Sequence, residues 1–287
     1  MAAKFGPSGN SDIFYEQGYK SSLQMPEWLK NMGLDAYEYQ CSKGVNISEK
    51  TAKKLGENAR AFGIELSVHA PYYINLASIE AEKREGSKRY IIETMTAARW
   101  MGAKRVVVHP GSCSKINREA ALELAKDTLK EALKEADALG LDDIHICPET
   151  LGKINQLGTL EEVMELCKID ERLIPTIDFG HIHARGLGCL VGKSDFEKVF
   201  DIIENSLGSE RLKNFHSHFS RIEFTSGGEK KHWSFCDIEY GPEFEPVAEI
   251  VYKRNLSPVI ICESRGTMAE DALELKKIYM KKVGSGE

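Results

Sequence analysis

Several familiar signatures are missing from this sequence. Its seven cysteines (Cys41, Cys113, Cys147, Cys167, Cys189, Cys236 and Cys262) are odd in number and scattered, and no two form a Cys-x-x-Cys pair. That leaves no disulfide framework to read and points to free thiols in a reducing compartment. No run of 18 apolar residues occurs, and Met1 to Asn10 lack the apolar core of a signal peptide. The expectation is a soluble, cytoplasmic protein without a membrane partner. A cationic excess is absent too: the formal net charge is −6. This argues against a surface coated in basic residues for nonspecific nucleic-acid binding, although one basic face can sit on an acidic body. No Pro/Gly/Ser-rich linker divides the chain, so residues 1–287 are expected to form a single domain, with no protein partner implied.

What the sequence does contain is alternation. Apolar residues make up 42% and charged residues 29%, enough for a large core under a solvated surface. Short β-branched runs at 3–6, 35–39, 64–69, 104–109, 143–148, 173–178, 212–218 and 257–262 alternate with longer stretches of helical periodicity. Helices are predicted over 25–32, opened by Pro26 and stopped by Gly33, and over 79–102 and 117–139. A further helix over 160–168 is opened by a Thr159/Glu162 capping box. Two more are predicted over 243–254, opened by Pro242 and Glu243, and over 268–281, before a Gly-Ser-Gly-Glu tail expected to fray. Strand-helix alternation implies parallel strands with crossover helices, and eight strands close an α/β (β/α)8 barrel, which commonly takes about 250 residues. An open, doubly wound sheet uses the same alternation, but the Gly-x-Gly-x-x-Gly turn that usually marks one is absent after the first strand.

In a barrel, functional groups come from the C-terminal ends of the strands. Strands three to eight end at His69, His109, Glu149, Asp178, His216-Ser217-His218 and Glu263. A lone strand-end histidine is commonly structural, and a lone carboxylate is commonly a helix cap. Six on successive strands are poorly explained that way. Imidazole and carboxylate form the ligand set for zinc or manganese, and a bridging carboxylate can hold two cations. His181, one turn beyond Asp178, and His232, in the long loop after strand seven, enlarge the cluster. His145 reads as packed inside strand five and His183 as a solvated loop residue. Residues two apart share a strand face, so His216 and His218 both stay open, with His218 nearer the strand end.

These residues resemble the endonuclease IV family of apurinic/apyrimidinic endonucleases, zinc-dependent barrels of DNA repair. The resemblance runs from about residue 30 to residue 265. It rests on His69-Ala70-Pro71-Tyr72-Tyr73-Ile74-Asn75, His109-Pro110-Gly111-Ser112, Glu149-Thr150, Asp178-Phe179-Gly180-His181 and Cys262-Glu263-Ser264. It implies one zinc ion on His69, His109 and Glu149, and a second on Glu149, Asp178, the strand-seven histidine and Glu263. His218-Phe219-Ser220 fits the family's strand-seven pattern better than His216. A third ion would use His181 and an Asp-x-His pair, but that pair here reads Lys230-Lys231-His232, and Glu229 replaces the missing Asp only if the loop shifts by one residue. Thr150 also stands where the family usually has Asn.

The implied cofactor is therefore two or three Zn2+ ions, with Mn2+ possible, and the implied partner is damaged double-stranded DNA. The implied reaction is cleavage of the phosphodiester 5′ to an abasic site by a water activated near Glu149, with Tyr72 as a wedge into the duplex. Lys43, Lys115, Lys153, Arg185, Arg221, Lys230, Lys231 and Arg265 follow predicted strands and together would give one cationic face. Two alternatives remain. A single-metal sugar isomerase or epimerase would use Glu149, Asp178, His218 and Glu263 but has no use for both His69 and His109. A barrel that binds metal and DNA without cutting would fit the missing Asp at Lys230.

Overall fold

Eight parallel strands close into a barrel in the computed structural model, which describes residues 2–285. They are β1 (Lys4–Pro7), β2 (Ala36–Gln40), β3 (Glu65–His69), β4 (Arg105–Val108), β5 (His145–Pro148), β6 (Thr176–Asp178) and β7 (His216–Phe219). A hairpin, β8 (Arg221–Thr225) and β9 (Gly228–Trp233), follows before the last barrel strand, β10 (Val259–Cys262). Hydrogen bonds order the barrel strands as β2-β3-β4-β5 and β1-β10-β7-β6. Parallel bridges Ser8 to Glu38 and Glu149 to Thr176 join the two halves and complete the circle. At the first seam the backbones come close: a Cβ on Gly6 would lie 1.8 Å from the Ala36 carbonyl oxygen, so only glycine fits there.

The strands are short and apolar because both faces are covered, by side chains inside the barrel and helices outside. Val106, Val107 and Val108 of β4, for instance, are all fully buried. The helices lie where their signals place them. Met25–Met32 has Pro26 in its first turn and ends on Gly33 at φ 86°, and Leu160–Cys167 opens with the Thr159/Glu162 capping box. Ala81–Met101 and Arg118–Ala138 are the long crossover helices.

Some boundaries differ from expectation. The runs at 173–178 and 212–218 start early, since Leu173 packs in a turn and Leu212 sits on the short helix Ser209–Lys213; both bury apolar side chains without joining the sheet. The helix expected over 243–254 is Glu245–Lys253, with Pro246 rather than Pro242 in its first turn. The final helix runs from Met268 to Ser285, so Gly284 and Ser285 are helical, while Gly286 and Glu287 of the expected frayed tail lie outside the described residues. Among the described residues, no helix is long and apolar enough to cross a membrane.

Candidate metal centre

Every barrel strand presents its C-terminal end at one mouth, and the strand-end residues meet there around Glu149. This fully buried carboxylate stands just past β5. Its Oε2 lies 3.4 Å from His69 Nε2 and 3.1 Å from His109 Nε2. Its Oε1 lies 3.1 Å from His218 Nδ1 and 3.4 Å from His181 Nδ1. Glu263, at the end of β10, is 3.4 Å from His218 Nδ1. Asp178 has two tasks: Oδ1 accepts the His181 backbone N–H at 2.7 Å as the cap of helix Phe179–Arg185, while Oδ2 is buried without a hydrogen-bond partner. Thr150 locks β5 to β6, its hydroxyl accepting from the Asp178 N–H at 2.9 Å and donating to the Asp178 carbonyl at 3.3 Å.

The imidazoles are oriented, not merely close. His69 Nδ1–H donates to the Ala70 carbonyl at 2.7 Å and His181 Nδ1–H to the Thr150 carbonyl at 2.9 Å, which leaves Nε2 of each ring as the atom a cation would take. His232 Nδ1 is bonded to Ser220 Oγ at 2.8 Å. A ring with one nitrogen tied and the other free is the form a metal requires. Ligand atoms of His69, His109 and Glu149 lie within 4.8 Å of one another, as do those of Glu149, Asp178, His218 and Glu263, and those of His181, His232 and Glu263. Together with the orphaned Asp178 Oδ2, this donor set fits divalent cations.

Hairpin β8-β9 occupies what reads in sequence as a long loop. A register shift between Glu223 and Phe224 turns Glu229 toward the centre. Glu229 Oε2 is 3.4 Å from His181 Nε2, and its Oε1 is 3.7 Å from His232 Nε2. Lys230 faces away and pairs with Glu223 at 2.5 Å. Glu229, rather than Lys230, thus faces His181 and His232. Gly152 makes room for it, since a Cβ there would lie 2.6 Å from the Glu229 side chain.

Charge coupling is strong in this largely buried cluster. Burial pushes the Glu149 carboxyl up, but the His218 charge and hydrogen bonds from His109, His181 and His218 outweigh it and hold it well below the usual range. Burial raises Asp178, opposed by His181 and reinforced by Glu263 and Glu149. Burial lowers His69, yet Glu149 beside it lifts the ring to about 9. Against the same burial, Asp178 and Glu149 hold His181, and Glu263, Glu38 and Glu149 hold His218, well above the usual imidazole range. Glu229, despite burial, is held at about 2 by His232 and His181.

His218, not His216, reaches the mouth. His216 lies one layer deeper, fully buried, with Nε2 donating to Glu38 Oε2 at 2.9 Å. Glu38 of β2 is absent from the sequence reading. The signal was there, an acidic residue between Tyr37 and Tyr39 inside an apolar strand. His183, expected to be solvated, is buried and accepts the Leu190 N–H on Nδ1 at 3.2 Å, and His145 Nδ1 donates to the Arg172 carbonyl at 2.8 Å.

The expected cationic face is smaller than the sequence suggests. Arg221 is buried in a two-bond pair with Glu243 at 2.8 and 2.7 Å, and Arg185 is spent on carbonyls of the loop after β5. Lys231 and Arg265 remain beside the centre, lining with Ser8, His232, Glu263 and Ser264 a cavity of about 390 Å³. Tyr72 is 62% exposed, three residues beyond His69.

The sequence profile described as xylose isomerase-like TIM barrel matches residues 26–281. The chain belongs to the xylose isomerase-like TIM barrel family. Within that family, an uncharacterized protein of Methanocaldococcus jannaschii is 36% identical over 251 residues, 88% of this chain and 89% of that one. A probable endonuclease 4 of Listeria monocytogenes is 30% identical over 218 residues, 72% of this chain and 71% of the relative. Among solved structures, a D-tagatose 3-epimerase-like protein superposes with a TM-score of 0.72 at 22% identity, covering 98% of this chain and 97% of its own. Endonuclease IV from Thermus thermophilus superposes with a TM-score of 0.67 at 20% identity, covering 93% and 96%. The sequence relatives support the resemblance to endonuclease IV; the structural likenesses speak for the xylose isomerase-like fold alone.

Proposed function

We propose that this chain is a metal-dependent phosphodiesterase of DNA repair that cleaves duplex DNA 5′ to abasic sites. The observation that carries the reading is the donor count around Glu149. Its two oxygens face His69 and His109 on one side and His218 and His181 on the other, more capacity than a single cation needs. His69, His109 and Glu149 would hold one zinc ion, and Glu149, Asp178, His218 and Glu263 a second. A third would rest on His181, Glu229 and His232, and manganese suits the same donors. Such a cluster supplies charge neutralisation on the phosphoryl oxygens, a more acidic water and stabilisation of the leaving oxyanion.

The chain's own residues do the rest. Glu149, ionised and central, accepts a hydrogen bond from the attacking water and so orients it. Lys231 and Arg265, beside the cavity, attract backbone phosphates. Tyr72, exposed at the rim, enters the duplex where a base is missing and the stacking cost is lowest. Cleavage leaves a 3′-hydroxyl and a 5′ deoxyribose phosphate.

One observation favours a second reading. Glu149, Asp178, His218 and Glu263 form a complete one-metal group, enough for a sugar epimerase in which a carboxylate moves a proton beside a carbonyl. That chemistry leaves His69 and His109 idle. The binding-only alternative loses its support, because Glu229 stands where the Asp was missing. Incubating a duplex bearing one abasic analogue, with zinc and with chelator, tests all three. Strand nicking that the chelator abolishes and zinc restores is expected. Uncut duplex with epimerisation of a free ketose favours the second reading, and tight binding without cutting the third.

A further inference from the structure

Strands β1 and β2 bring no residue into the ligand groups around Glu149, yet Ser8, just past β1, and Glu38 of β2 lie directly against two of the ligands. Glu38 is fully buried in the barrel interior. Its Oε2 accepts from Ser67 Oγ at 2.8 Å and from His216 Nε2–H at 2.9 Å. Its Oε1 accepts from Gln40 Nε2 at 3.3 Å and lies 3.0 Å from His218 Nε2, a nitrogen with no aligned hydrogen-bond partner. Each of these four groups can present a proton to the carboxylate, so the arrangement suits an anion and gives a protonated carboxyl no acceptor.

The ring beneath fixes its own tautomer. Arg105 Nη1 lies 3.5 Å from His216 Nδ1 and can only donate, so His216 Nδ1 accepts and Nε2 carries the proton that Glu38 receives. That leaves the second carboxylate oxygen for His218. A lone pair on His218 Nε2 would face an anionic oxygen 3.0 Å away, whereas a proton there is attracted. With the Nε2 proton held by Glu38, the proton a cation would displace is the one on Nδ1, the atom that faces Glu149 at 3.1 Å and Glu263 at 3.4 Å. From Glu38 the contacts run on: Gln40 Nε2 donates to Ser8 Oγ at 2.6 Å, and the Ser8 hydroxyl donates to Glu263 Oε1 at 3.1 Å.

We propose that Glu38 is a positioning residue for the metal centre: through its contact with Nε2 it holds His218 in the tautomer that presents Nδ1 to a divalent cation, and Gln40 and Ser8 extend the same support to Glu263. A carboxylate behind a ligating imidazole fixes the ring and makes it a better donor, and losing one typically weakens metal binding about 10- to 100-fold. The inference rests on the reading of His218 as a ligand but not on the identity of the substrate.

The test is zinc affinity, by competition with a chromophoric chelator, for the wild-type chain and Glu38→Gln, with the His218 tautomer read from long-range proton–nitrogen-15 NMR of the zinc-loaded wild type. Expected are a loss of about 10- to 100-fold in affinity for Glu38→Gln and, in the wild type, a proton on Nε2 with Nδ1 bound to zinc. The wild-type spectrum decides the matter even if the variant fails to fold. Wild-type affinity in a folded Glu38→Gln, or zinc on Nε2 of His218, overturns the proposal alone. No zinc binding by the wild-type chain overturns both this proposal and the metal-centre reading.

Discussion

Asp178 caps the helix that carries His181: Oδ1 accepts the His181 N–H at 2.7 Å, while Oδ2 stays buried without a hydrogen-bond partner. One side chain thus joins a fold task to the ligand task proposed for it, and two substitutions separate them. Asp178→Asn keeps an oxygen for the cap but replaces the free carboxylate oxygen with an amide. Metal content should fall, with the melting temperature of the metal-free protein unchanged or raised. Asp178→Ala should lose both, with about 1 kcal/mol of additional destabilisation from the cap. Thermal melts and elemental analysis of the two variants check this.

Zinc affinity should rise with pH. Burial lowers the His69 ring, but Glu149 lifts it to about 9, and the carboxylates around His181 and His218 raise them too, so the metal-free centre is protonated near neutrality. A cation must displace those protons. For the metal-free protein the sign is opposite: His69's contribution is fully present below its unfolded value near 6.5 and is lost as pH rises through about 9. Zinc titrations and melts between pH 6 and 9 should show affinity climbing while metal-free stability declines. A pH-independent affinity would contradict the assignment.

Glu229 and Lys230 are neighbours with opposite orientation. Glu229→Gln should remove one equivalent of zinc, because Glu229 lies 3.4 Å from His181 Nε2. Lys230→Ala should leave metal content unchanged and stability within about 0.5 kcal/mol, since its pair with Glu223 is exposed. Metal stoichiometry measured on both variants distinguishes them.

Tyr72→Ala should leave the melting temperature unchanged, because the residue is 62% exposed. Binding to an abasic duplex should weaken by about 1–3 kcal/mol, the usual worth of an aromatic ring stacked on a base. Fluorescence anisotropy with a labelled duplex provides the measurement.

The barrel was legible in the sequence because its strands are short apolar runs and its helices carry their own stop and start residues. Pro26, Gly33, Thr159 and Glu162 act locally, so their effect survives without knowledge of the fold. Helices Glu49–Phe62 and Lys193–Leu207 were not read, although Phe196, Val199, Phe200, Ile203 and Leu207 keep helical spacing and are buried. The rim residues were legible because an ionisable group at the end of an apolar run is conspicuous. Glu38 was not, since its partners His216 and His218 lie 178 and 180 positions away and only barrel closure brings them together. Hairpin β8-β9 was missed for a similar reason: its alternation is weak, and the register shift that turns Glu229 inward is a tertiary feature. Arg221 reads in sequence as a free cation, but Glu243 neutralises it in the fold.

The central claim is that side chains from six strands converge to hold cations at one mouth of the barrel. Anomalous diffraction at the zinc edge, from crystals grown with zinc, tests it directly. The account expects one peak bounded by His69, His109 and Glu149 and another bounded by Glu149, Asp178, His218 and Glu263. Zinc bound only elsewhere on the protein, with these side chains empty, would contradict it.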